Sequence, residues 1–220
     1  MIYKGDKNMI KAVIFDLDGV LVSTDEMHFM AWTRLAEELG ITTFTKEDNM
    51  RQRGVSRMAS LEIVLEKTDK KYTDEEKLEF ADRKNSYYCK MLESLTPADC
   101  LDGVVDFLQF LKANGIKTAV GSASKNAPVI LEKTGLLQYC DAISCGLDVT
   151  KSKPDPEVFL VAAQKLGIAP ENCLVVEDAH AGVEAAKNGG MSALAVGAAY
   201  GDELADFSAK SLDSFKYILK

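Results

Sequence analysis

The sequence predicts an α/β protein: a doubly wound, Rossmann-like parallel-sheet core interrupted by an inserted α-helical cap. Three observations carry this reading. The apolar run Ala12-Val13-Ile14-Phe15 does not alternate, as expected of a strand covered on both faces. From residue 97 onward, short apolar runs alternate with helical patterns, the signature of right-handed βαβ units. Between these parts, residues 25–95 space their apolar side chains as helices do and show no convincing strand. The expected organisation is a discontinuous core, residues 1–23 and 97–220, with a helical cap domain, residues 24–96, inserted into it.

Each element has a local reason. Ser23 and Glu26 stand at capping-box spacing, so a helix is expected there, with Met27, Met30, Ala31, Leu35 and Leu39 on one face and Gly40 as its stop. A second helix is expected from Ser56 through Leu61 and Leu65. A third should start near Thr73, with Glu76 closing a capping box, and run to about Glu93. Thr96-Pro97 ends the block. Then come a helix over 104–113 stopped by Asn114-Gly115, a strand over 117–121 and a helix ending at Gly135. A strand over 142–145 follows, then a helix opened by Pro156 and closed by Gly167. The last expected elements are a strand over 174–176, a helix over 181–188 and a strand over 193–196. The final twenty residues are weakly patterned.

Length and charge bound the function. The 220 residues suffice for one α/β core plus an insert. A net charge of −8 argues against nonspecific binding to nucleic acid or an anionic membrane, while leaving room for a local phosphate pocket. The five cysteines, an odd and scattered number, suggest neither disulfides nor a zinc site; Cys173, beside an apolar run, is expected to be buried. No segment reaches the ~20 apolar residues of a membrane span. The polar stretch before Met9 reads as neither signal nor anchor, and Met9 would serve as a natural start. A cytoplasmic monomer is the expectation.

The candidate chemistry lies where strands end, because parallel sheets bind ligands beyond the C-terminal ends of their strands. Asp16 and Asp18 follow the first strand, and Gly19 allows a tight turn beside them. Ser122-Ala123-Ser124-Lys125-Asn126 follows a second strand and offers hydroxyls, amides and a cation to an anion. Lys153 sits in a loop stiffened by Pro154 and Pro156. Glu177 and Asp178 close a further strand; adjacent carboxylates repel unless a cation lies between them, and with Asp16 they would form an all-oxygen site suited to Mg²⁺. Each of these taken singly is also an ordinary turn, helix cap or surface loop. Their joint occurrence, in this order and each at a strand end, is a far stronger signal than any one of them.

Asp16-Leu17-Asp18-Gly19-Val20, with the other three motifs in order, resembles the haloacid-dehalogenase superfamily. From Met9 to about Gly197 the chain is similar, within that superfamily, to the β-phosphoglucomutase family, notably at 24–32, 53–57, 83–85 and 122–126. The resemblance implies interconversion of β-glucose 1-phosphate and glucose 6-phosphate through β-glucose 1,6-bisphosphate. Asp16 would be the nucleophile and Asp18 the general acid and base. Mg²⁺ would be held by Asp16, Glu177, Asp178 and the backbone carbonyl of Asp18. Ser122, Ala123 and Lys153 would bind the transferring phosphoryl group. Thr24 would lie at the hinge. His28, Trp32, Arg53, Gly54, Val55, Ser56 and Lys84 would meet the substrate from the cap. Arg57, Ser124, Lys125 and Asn126 would grip the second phosphate. Without the resemblance, Arg57 and Lys84 read as surface cations, His28 and Trp32 as cap packing, and His180 as solvent-facing. Departures are Arg53 where a lysine is expected, Ala179 where a serine can occur, and an unmatched C-terminus. The rival readings are a Mg²⁺-dependent phosphatase of small sugar phosphates or phosphoglycolate, a dehalogenase, and an inactive sugar-phosphate sensor.

Overall fold

The computed structural model describes residues 3–4 and 8–215. Strands β1 (Tyr3–Lys4) and β2 (Asn8–Met9) form a short antiparallel pair outside the main sheet. The main sheet comprises β3 (Ala12–Phe15), β4 (Lys117–Gly121), β5 (Ala142–Ser144), β6 (Cys173–Glu177), β7 (Ser192–Ala195) and β8 (Phe207–Ser208). It is parallel throughout, in the order β5-β4-β3-β6-β7-β8. The first motif strand, β3, is therefore central, flanked by the two strands that carry the second and fourth motifs.

Both faces of the sheet are covered, which is why its strands do not alternate in polarity. Val13, Phe15, Val120, Leu174 and Val176 pack with α5 (Val104–Ala113), α6 (Ala127–Lys133) and α9 (Leu212–Phe215). Ala12, Ile14, Ala119, Cys173 and Val175 pack on the other side with α7 (Glu157–Leu166) and α8 (His180–Asn188). Phe107 and Phe159, one on each side, are fully buried; such burial contributes roughly 1.5–3 kcal/mol per side chain.

Four helices lie between β3 and α5 in sequence: α1 (Asp25–Glu38), α2 (Lys46–Met50), α3 (Arg57–Leu65) and α4 (Asp74–Leu92). They build a core of their own from Trp32, Leu35, Leu61, Val64 and Phe80. Ser56 caps α3, and Thr73 with Glu76 forms the expected capping box on α4. The expected box at the start of α1 is absent. Thr24 is the N-cap residue, but its hydroxyl donates to Asp18 and accepts from no amide of the helix. Asp25 and Glu26 in the first turn offset the exposed amide dipoles instead. The short α2, capped by Thr45 and Asp48, is not among the sequence expectations because five residues give no readable period. Among the described residues no helix is long and apolar enough to cross a membrane, and the five cysteines are free, with Cys173 buried.

Candidate active site

A cavity of about 430 Å³ opens between the C-terminal ends of the central strands and the inserted helices. It is lined by every expected site residue except Thr24 and Glu177, which are fully buried beneath it. Asp16, Ser122 and Asp178 are the residues immediately after β3, β4 and β6; the inserted helices supply His28, Arg57 and Lys84.

At the floor, ligand oxygens of Asp16, Glu177 and Asp178 lie within 4.8 Å of one another. Glu177 accepts from the amides of Asp178 (3.0 Å) and Ala179 (3.1 Å), and Lys153 bonds both Asp16 and Glu177. Burial would lower the Lys153 ammonium, but the two carboxylates more than offset this and hold it above its ordinary value. Burial, then the charges of Glu177 and Asp16, push Asp178 up to about 8; Glu177 is raised chiefly by burial. The backbone makes room for this cluster. A side chain at Gly19, whose φ is +80°, would overlap the Asp178 carboxylate, and one at Gly182 would overlap that of Glu177. A hard cation with oxygen ligands fits this donor set and relieves its repulsion.

The raised carboxylates fix the sign of a pH effect. Between about pH 4 and 7 the folded state holds protons on Asp18, Glu177 and Asp178 that the unfolded chain has released. Stability therefore falls as pH rises, since the native state binds more protons. His28, which resists protonation, works oppositely, as does Lys84 towards the upper end of this range, but the three carboxylates outweigh them. Thermal denaturation in chelator is expected to show a Tm lower at pH 7 than at pH 5. Added Mg²⁺ should raise Tm most at the higher pH, and a Tm that rose with pH in chelator would refute the account.

Asp18 faces the cavity beside Asp16. Burial first, and Asp16 second, push its carboxyl up to about 7, which suits a group that must give and take a proton near neutrality. Opposite, Lys84 Nζ lies 2.9 Å from His28 Nδ1 and 4.7 Å from the ring centroids of Trp32 and Tyr88. When the amine is protonated it can only donate, so Nδ1 then accepts and the imidazole proton sits on Nε2. Burial and the nearby Arg57 bring Lys84 down to about 7. Trp32 is thus both cap core and cavity wall.

Arg53 bonds Asp25 and lies 3.8 Å from Asp178. Gly54, at φ +73°, brings backbone of the insert close to Lys153 and Ala179. Arg57 donates to Asn85 (2.8 Å), and Asn126 donates to the same oxygen (3.0 Å). Ser122 Oγ accepts from the Ser124 amide and Ser124 Oγ from the Asn126 amide, which fixes the loop of the second motif. Lys125 is exposed at the rim, and His180 faces solvent, paired with Asp202. Asp25, Asn85, Tyr88 and Gly182 have no assigned role in the sequence reading. The i, i+1, i+4 spacing of Lys84, Asn85 and Tyr88 on α4 was the available signal for two of them.

Paired aspartates, a lysine and a carboxylate cluster at the carboxyl ends of a parallel sheet define a class of phosphoryl-transfer enzymes. The haloacid dehalogenase-like hydrolase family matches residues 10–190, and the chain belongs to that family and is an enzyme of it. The chain is 44% identical over 190 residues to the β-phosphoglucomutase of Bacillus subtilis, covering 86% of this chain and 84% of the relative. It is 34% identical to a phosphorylated carbohydrates phosphatase of Thermotoga maritima, covering 83% and 82% of the two. A solved β-phosphoglucomutase structure from Clostridium difficile superposes with a TM-score of 0.90 at 39% identity, covering 96% of each chain.

Proposed function

We propose that the enzyme is a phosphomutase interconverting β-D-glucose 1-phosphate and D-glucose 6-phosphate through β-glucose 1,6-bisphosphate. The observation that carries this reading is that one cavity is lined by both sets of groups that the family resemblance assigns to phosphates. Lys153, bonded to Asp16, lines the cavity with Ser122 and Ala123 as one set, while Arg57, Ser124, Lys125 and Asn126 form the other. A phosphatase needs only the first. The 44% identity to a β-phosphoglucomutase supports the same choice.

Asp16 attacks phosphorus and carries the aspartyl phosphate, with the sugar oxygen leaving. Asp18 protonates that oxygen and later takes the proton of the attacking sugar hydroxyl. Asp16, Glu177, Asp178 and the Asp18 carbonyl are the groups that would hold Mg²⁺, which when bound supplies positive charge to the transferring group. The core, 1–23 and 97–220, carries this machinery, and 24–96 acts as a cap hinged at Thr24. Closing the cap keeps water from the aspartyl phosphate and brings His28, Arg53, Gly54, Val55, Ser56 and Lys84 to the sugar.

Phosphorus NMR with Mg²⁺, β-glucose 1-phosphate and a trace of the bisphosphate tests the reading. Glucose 6-phosphate should form with little inorganic phosphate. Arg57→Ala should lower kcat/KM for both sugar phosphates between about ten- and a hundredfold, as loss of a charge-assisted contact of about 1.5–3 kcal/mol requires. Inorganic phosphate as the main product, with Arg57→Ala unchanged, would establish a phosphatase instead.

A further inference from the structure

We infer that Asn85 is a positioning residue that assembles the second phosphate subsite across the junction of insert and core; this rests on the phosphomutase reading above. Its Oδ1 accepts from Arg57 Nη2 (2.8 Å) on α3 and from Asn126 Nδ2 (3.0 Å) in the core loop. The orientations are mutually required. Arg57 can only donate, so the atom of Asn85 facing it is the oxygen. That oxygen has a second lone pair, which takes the Asn126 amide. Asn126 Oδ1 is then left as an acceptor, and the Cys89 thiol, one turn beyond Asn85 on α4, meets it at 3.6 Å. One neutral carbonyl oxygen thus ties a cation of the insert to an amide of the core.

The neutrality of Asn85 is the point. Arg57 is partly buried, and burial is the main influence on its guanidinium. Its carboxylate neighbour, Asp82, stands 3.7 Å away and is 83% exposed, so water screens it. A carboxylate at position 85 would hold Arg57 equally well but would cancel the charge that a phosphate dianion needs. Asparagine fixes the direction of the guanidinium and leaves the charge available. Because the Asn126 bond crosses the junction, both donors are in place together only when insert and core meet. The grip on the distal phosphate is thereby tied to closure over the sugar.

The test compares Asn85→Asp and Asn85→Ala with the wild type on two probes. β-Glucose 1-phosphate, primed with the bisphosphate, uses both subsites; acetyl phosphate carries no second phosphate and only phosphorylates Asp16. Asn85→Asp, which preserves shape and both acceptor contacts, is expected to lower the ratio of kcat/KM on the sugar phosphate to that on acetyl phosphate about tenfold. The loss should appear in KM, as for lost uniform binding. Asn85→Ala should lower the ratio too, and combining it with Asn126→Ala should add less than the sum of the separate effects. An Asn85→Asp ratio equal to the wild type would overturn the inference, as would equal losses on both probes. A wild type that discriminated no better than hydrolysis of acetyl phosphate would instead overturn the phosphomutase reading and, with it, this role.

Discussion

Replacing Asp16 with asparagine should abolish turnover, by about four orders of magnitude or more, as removal of a nucleophile does. The substitution keeps shape and volume. It also removes one negative charge from a cluster in which burial and mutual repulsion already push Glu177 and Asp178 up. Lys153 retains Glu177 as its partner. The inactive variant should therefore be at least as stable as the wild type at pH 8 in chelator. Loss of phosphorylation together with retained or raised Tm separates a missing nucleophile from a damaged fold. Asp16→Asn retaining a tenth of the wild-type rate would show that another group attacks phosphorus.

Lys153→Met should also have a large effect, and for a different reason. Lys153 is 1% exposed and is bonded to both Asp16 and Glu177, one of which would carry the phosphoryl group while the other supports the floor. Deleting its charge removes a donor aimed at developing negative charge, a loss of about 10²–10³ in rate. It also leaves two buried carboxylates uncompensated. Removing one partner of a buried ion pair costs about 3–5 kcal/mol, but Glu177, already raised, can take up a proton and recover part of it. Urea denaturation in chelator should thus show a larger destabilisation at pH 8 than at pH 5.5. Equal destabilisation at both values would mean that the carboxylates do not depend on Lys153 for their charge.

These two predictions rest on residues that the sequence exposes directly. Each lies immediately after a strand or in the loop between two marked elements, and the strands are readable because they are short apolar runs without alternation. The same holds for α5, predicted over 104–113 and observed as Val104–Ala113, and for β4, observed as Lys117–Gly121. Less was legible where a residue's role depends on a distant partner. Ser23 and Glu26 have capping-box spacing, but Thr24 precedes α1 and its hydroxyl belongs to Asp18. Local pattern cannot register that competition, because the partner lies on the preceding loop and is brought there by the chain reversal at Gly19. Strand β8 is only two residues long, Phe207–Ser208, and carries too little pattern to be seen among the weakly patterned last residues.

The sequence by itself determined the doubly wound sheet, the helical insert and the four motifs at strand ends, since hydrophobic periodicity and turn chemistry are local properties of the chain. Tertiary structure alone decided which side chains share an environment. Asp25 meets Arg53, Asn85 joins Arg57 to Asn126, and Gly182 leaves space for Glu177 only because helices from one segment are folded over strand ends from another. Burial and the proximity of charges, which raise Asp18 and Asp178 and lower Lys84, likewise arise from that packing and not from any run of residues.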